Sequence, residues 1–182
     1  MNSAGIYLLY LYVNGIRTPV IIDDYFPCYK SGKIAFCKSQ QNELWAMLIE
    51  KAWAKLHGTF VRTEGNLPCF AYSHLTGVPS SNTSHESVKN KDKFFQELIA
   101  ANSLNNILIA SSGDKKSEKK FEQGIANGVS FYLLEIYEFN HEGEQVRICK
   151  MRNPWNKFEW KGEWSDDSLK WTSELRAKLQ GT

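Results

Sequence analysis

Four cysteines and four histidines are the residues here that could act as nucleophile, base or metal ligand. Cys28, Cys37, Cys69 and Cys149 lie far apart with no C-x-x-C spacing. His57, His74, His85 and His141 are not at ligand intervals either, so no zinc site is expected. Free thiols in a reducing compartment are the simpler reading. A thiol becomes a nucleophile where a helix N-terminus or a cation lowers its pKa. Cys28 follows Pro27 at an expected strand end, Cys37 and Cys149 fall in apolar strand-like runs, and Cys69 falls in the loop Gly65-Asn66-Leu67-Pro68-Cys69. None is expected to open a helix, and no catalytic cysteine is predicted. His57 reads as a helix-end residue, and His74 and His85 have no nucleophile or acid at a diagnostic spacing. The remaining polar groups that ask for a role are Asp23-Asp24 and, near the C-terminus, Asn153, Glu159, Asp166 and Asp167 among tryptophans. Adjacent acids at a strand end can cap a turn, bind an arginine or ligate a cation, with capping the simplest reading.

The elements that must position the last group can be read from periodicity. Ser130 to Phe139 and Gln145 to Met151 are apolar runs flanking Asn140-His141-Glu142-Gly143, which predicts an antiparallel hairpin. Arg152-Asn153-Pro154-Trp155 follows the second strand, and Trp160, Trp164 and Trp171 come after it. So many large aromatic side chains in a short segment predict a packed aromatic cluster at the sheet edge.

Upstream, Gly5 to Val13 and Arg17 to Asp23 flank Asn14-Gly15, a strong two-residue hairpin signal, and Pro27 prevents further strand. Ile34 to Lys38 reads as a short third strand after the turn Ser31-Gly32. Gln40 to Phe60 is the clearest helix. Leu44, Trp45, Leu48, Ala52 and Leu56 form an apolar stripe, Lys51 and Lys55 suit its C-terminal half, and Gly58 is a natural stop. Thr63 to Asn90 reads as a linker or mobile loop rich in Gly, Pro, Ser, Asn and Thr. Asp92 to Ala101 regains helical spacing, Asn106 to Ala110 is a buried-strand candidate, and Gly113 to Lys120 is a charged surface loop.

With 182 residues the chain suits one domain or two small lobes, and its formal net charge of +2 gives no bulk electrostatic reason to bind nucleic acid. No window approaches the roughly 20 apolar residues of a membrane span, and no signal-peptide pattern opens the chain. A soluble, cytoplasmic protein is expected.

Two separated motifs carry a resemblance. Asp23-Asp24-Tyr25-Phe26-Pro27, then Asn42-Glu43-Leu44-Trp45 running into Glu50-Lys51-Ala52-Trp53-Ala54-Lys55-Leu56-His57-Gly58, resembles the V-D-D-x-x-P and N-E-F-W…E-K-A-Y-A-K-L-x-G segments of the calpains. Arg152-Asn153-Pro154-Trp155 followed by Glu159-Trp160-Lys161-Gly162-Glu163-Trp164-Ser165-Asp166 resembles their N-P-W-G and E-W-x-G-x-W-x-D segments. Calpains are calcium-dependent cysteine endopeptidases. The likeness covers nearly the whole chain and is weakest from Thr63 to Ser117, where Thr76-Gly77-Val78 half matches a T-G-G segment.

The resemblance implies an α+β, papain-like calpain protease core. Residues 1–75 would be the C-terminal part of the first, helix-containing protease subdomain. Residues 76–182 would be the second, an antiparallel-sheet lobe with flanking helices that bears the Asn and is incomplete at its end. It also implies a test of chemistry. Papain-type catalysis needs a Cys thiolate, a His, and an Asn that orients the imidazole. Asn153 and Trp155 match the family's Asn and Trp, and Gly128 matches the Gly of its G-H-A-Y-S-V segment. Val129 stands where that segment has the His, and a valine can neither take a proton nor pair with a thiolate. His141 lies at the far end of the hairpin, at about 3.3 Å per residue. The family's nucleophile segment would lie ahead of Met1. The expectation is therefore a catalytically inactive calpain-like domain, vestigial at Asn153 and Trp155, acting as a regulatory or interaction module for a protein or peptide partner. A cysteine endopeptidase completed by missing residues or by a partner, with His74 or His85 as base, is the alternative. Calcium is the one implied cofactor. Glu159 and Asp166 match two of its ligands, Asp167 could add one, and calcium takes about six to eight oxygens. Asn156 replaces the Gly that follows N-P-W in the family.

Overall fold

The computed structural model describes residues 3–39, 43–65, 67–112, 124–125, 127–154 and 159–179. It is α+β, and it divides into two compact units, Met1–Thr83 and Ser84–Thr182.

The first unit is built on the hairpin of β1 (Ile6–Val13) and β2 (Ile16–Asp23). Asn14 and Gly15 take φ of 50° and 77°, the mirror-image turn whose twist matches that of the paired strands. Residues that face each other across the ladder share a sheet face. Tyr7–Ile22, Leu9–Val20 and Leu11–Thr18 therefore line one side and Leu8–Ile21 and Tyr10–Pro19 the other. Helix α1 (Trp45–His57) covers the first side, where Leu11, Val20, Ile22, Leu48 and Ala52 form the buried core. Its lysines fasten it to the hairpin's end. The Lys55 ammonium donates to the Ile21 carbonyl (2.7 Å), and Lys51 donates to the Asp23 carboxylate and the Tyr25 carbonyl. Asp23 also accepts from the Tyr25 N–H at 2.8 Å, so the acid caps its turn as expected and gains a lysine partner.

Several expectations change here. The helix begins at Trp45, not Gln40. Leu44 is its N-cap, with its carbonyl accepting from the Leu48 N–H at 2.9 Å, Gln40 to Asn42 lie outside the described residues, and Gly58 at φ 91° stops it. No third strand forms over Ile34 to Lys38. Its ladder is a single bridge between Cys28 and Ile34, because Pro27 lacks an N–H and the Tyr29–Lys33 turn closes at once. Cys37 therefore lies in irregular backbone. The expected linker after Thr63 contains α2 (Pro68–Thr76), with Pro68 in its first turn and Gly77 at φ 75° as its stop. Cys69 thus sits in the opening turn of a helix, not in a loop. Pro at the start and Gly past the end are helix punctuation, and reading both as loop residues hid it.

The second unit is a three-stranded antiparallel sheet in the order β3 (Leu108–Ser111), β4 (Ser130–His141), β5 (Glu144–Arg152). The β4–β5 turn is the pair Glu142-Gly143, at φ 50° and 85°. Asn140 and His141 belong to the strand and pair with Gln145 and Glu144. Glu138 and Arg147 face α3 (Lys91–Ser103): Arg147 joins Glu138 and Asp92, and Gln96 donates to Glu138 at 2.7 Å. Tyr137, Phe139 and His141 alternate to the opposite face. There Phe139 and His141 meet Trp164, and the Tyr137 hydroxyl donates to the Leu179 carbonyl of α4 (Ser173–Leu179), a helix the sequence reading did not anticipate. The expected loop from Gly113 to Lys120 lies outside the described residues.

Candidate functional site

Sheet register sets the site. Arg152 pairs with Tyr132, so Asn153 leaves β5 alongside the first residues of β4, the end of the sheet at which Val129 stands. Val129 is 3% exposed and forms a small apolar cluster with Phe131. Its backbone is bracketed by Ser112. The Ser112 N–H and hydroxyl donate to the Val129 carbonyl at 2.9 and 3.2 Å, and the Val129 N–H donates to the Ser112 oxygen at 3.3 Å. The turn before it is equally tied, with Gly128 at φ 69° donating to the Ser112 carbonyl at 2.7 Å. The aliphatic side chain is thus held inward by a closed set of backbone bonds. Ser112 carries no motif, and pairing across non-adjacent segments is the only signal that would have found it.

Asn153 is half-buried and lines a cavity of about 580 Å3, which Glu159 and Asp166 also line, with Phe131, Trp164 and Trp171 as apolar wall. Three of the sequence-predicted site residues therefore meet there. Trp155 lies outside the described residues. Trp164 is the aromatic hub, edge-on to Phe139 (5.4 Å), His141 (5.3 Å) and Trp171 (5.0 Å), at φ 60°.

Two of the thiols are poorly suited as nucleophiles, and His74, His85 and His141 each have other contacts. Burial pushes the Cys149 thiol above its ordinary value, and burial and then the Glu50 charge do the same to Cys37, the reverse of what a thiolate nucleophile needs. His141 pairs with Glu144, nine positions along the strand from Asn153, or about 30 Å at 3.3 Å per residue. His85 lies edge-on to Phe94 at 6.2 Å, and His74 is hydrogen-bonded to Trp53 within the first unit.

For calcium, Glu159 and Asp166 supply two carboxylates at the cavity wall. Among the described residues no three His, Cys, Asp or Glu side chains gather as a metal cluster. The Asp166 carbonyl, a hard oxygen a cation could use, accepts from Arg176 at 2.7 Å. Glu163, a third acid lining the cavity, is paired with Lys170 at 2.8 Å. Among the described residues no helix is long and apolar enough to cross a membrane.

The model of the calpain family of cysteine proteases matches residues 1–182. The calpain-type cysteine protease DEK1 of Arabidopsis thaliana is 34% identical over 186 residues, covering 98% of this chain and 8% of the plant protein. The calpain-1 catalytic subunit of Rattus norvegicus is 30% identical over 188 residues, covering 97% of this chain and 26% of that protein. Calpain-9 of Mus musculus is 28% identical over 171 residues, covering 93% and 25%. This chain thus spans about a quarter or less of the length of these relatives. With the motifs at both ends of the chain and a family match from first residue to last, the chain belongs to the calpain family of cysteine proteases.

Proposed function

We propose that this calpain-family domain does not itself cleave peptides and serves as a regulatory or interaction module for a protein or peptide partner. The observation that carries the reading is Val129, buried where the family's base would stand, at the same end of the sheet as a retained Asn153. An asparagine orients an imidazole through its amide, and an aliphatic side chain at the base's position offers it no proton acceptor to orient. The raised thiols of Cys37 and Cys149 support the same conclusion from the nucleophile's side. The two-subdomain division, near residue 75 by sequence, belongs to this reading, as does a role for Trp155 beside Asn153.

A thiol-reactive peptidyl probe applied to the chain, with and without calcium, tests it. No labelling and no peptide turnover are expected. Labelling that His74→Ala or His85→Ala abolishes would replace this reading with the partner-completed protease. Calcium binding through Glu159 and Asp166 is the remaining inherited possibility. It predicts a calcium-dependent rise in melting temperature that Asp166→Ala removes, and a flat response to calcium would exclude it.

A further inference from the structure

The last turn of α1 and the last turn of α2 are joined by a three-membered polar cluster that the chemistry above does not use. The Trp53 indole N–H donates to His74 Nδ1 at 3.2 Å, and His57 Nε2 faces the same nitrogen at 3.3 Å. The two imidazoles stack at 5.2 Å, and Trp53 stands edge-on to His57 at 5.0 Å. All three side chains are half-buried.

The donor inventory fixes the protons. An indole N–H only donates, so His74 Nδ1 presents its lone pair and the proton of that ring sits on Nε2. His57 Nε2 then serves as the second donor to that lone pair, leaving both rings neutral. We propose that Trp53, His57 and His74 form a proton-sensitive clasp that holds α2 against α1 near neutral pH and loosens on mild acidification.

The surroundings favour that behaviour. Burial first and the neighbouring His74 second hold the His57 imidazole below its ordinary value of 6.5. Arg62 of the Val61–Thr63 turn lies against Gly58, just past His57, and Lys55 is spent on the Ile21 carbonyl. Neither imidazole is ion-paired to a carboxylate among the described residues. A proton on His57 places a charge in a half-buried contact. A proton on His74 Nδ1 removes the acceptor of both bonds, and protonation of both rings would set two cations side by side. The sign follows. For a base with a depressed folded pKa, the unfolded chain binds more protons. The stabilisation is complete above 6.5 and is lost as pH falls through the folded value. What loosens is α2, which also seats Gly77 against the Tyr12 ring of β1 and receives the Ser80 hydroxyl on the Cys69 carbonyl (2.6 Å).

The test compares melting temperatures of the chain and of His57→Gln at about pH 7.5 and about pH 5.5, a window centred on histidine. The glutamine amide can still donate to His74 Nδ1 but takes no proton. The unsubstituted chain is expected to lose several degrees across the window and the variant about half as much or less. Equal losses would overturn the proposal. Imidazole nitrogen NMR of the unsubstituted chain decides independently should the variant fold poorly. His74 is expected as the Nε2–H tautomer at about pH 7.5, and a proton on Nδ1 there would also overturn it.

Discussion

The two hairpins are made alike and held differently. Each closes on a two-residue turn with both φ angles positive, Asn14-Gly15 in one and Glu142-Gly143 in the other. The first has only two strands, and its stability rests on one apolar face pressed against α1, with Ala52 fully buried and Leu11 at 2% exposure. Its other face leaves Ile6, Leu8 and Ile21 more than half exposed. The second hairpin gains a third strand and is covered on both faces. One face carries the Arg147–Glu138–Asp92 network beneath α3, the other the Trp164 aromatic hub. An isolated two-stranded hairpin is marginal in water, so the first must lean on its helix. The second can spend its strand ends on other things, and Val129 and Asn153 are at those ends.

The sharpest consequence of that contrast lies at Leu11. Leu11→Ala should cost about 2–5 kcal/mol, because the hairpin has no second layer to collapse into the cavity. Urea unfolding followed by circular dichroism would read it. The aromatic hub of the second unit, followed by near-ultraviolet dichroism of its tryptophans, should persist at urea concentrations that unfold the first. Loss of both signals in a single transition would show that the two units do not differ in this way.

A smaller effect is expected at Gly77. A Cβ there would lie 2.6 Å from the Tyr12 ring, and the residue holds φ 75°, which side chains other than glycine rarely adopt. Gly77→Ala should cost about 1–3 kcal/mol and should accelerate amide exchange in α2 first. The outcome to look for is selectivity: Gly143→Ala also has a positive φ, 85°, but open space around its Cβ, so it should cost less.

Gly77 also illustrates what could be read before the structure. The hairpins were legible because Asn14-Gly15 and Asn140-His141-Glu142-Gly143 sit between apolar runs, though the second turn is only Glu142-Gly143, and α1 because its stripe recurs at three and four residues. Helix α2 was not. Its residues are half-buried or exposed and carry little periodic signal, and its two punctuation residues also spell loop. The missing strand at Ile34–Lys38 is the converse case, where local β propensity had no partner ladder to join. At the site, Asn153 and the acids were legible as motif residues. The Ser112 bracket and the Trp53–His57–His74 cluster were not, because each joins segments with no sequence relation, and only packing reveals such neighbours.

The smallest predicted effect turns on Glu50, the other titratable group under the first hairpin's helix. Its carboxylate accepts the Cys37 N–H at 2.9 Å, yet burial outweighs that bond and holds its pKa above 4.5. A carboxyl with a raised folded pKa favours folding most below its unfolded value, and that contribution is lost as pH rises through the folded one. At neutral pH the ionised Glu50 therefore costs stability, and Glu50→Gln, which can still accept from Cys37, should raise the melting temperature. The gain should stay below about 1 kcal/mol, since the group is partly solvated, and should vanish near pH 4 where the parent carboxyl is itself protonated. This dependence runs opposite to that of His57, so acidification removes one penalty in the first unit while adding another. A calorimetric pH series on Glu50→Gln and His57→Gln separates them. The glutamine at 50 should steepen the fall in stability on mild acidification, and the glutamine at 57 should flatten it. A Glu50→Gln chain less stable than its parent at neutral pH would mean that the Cys37 bond outweighs burial.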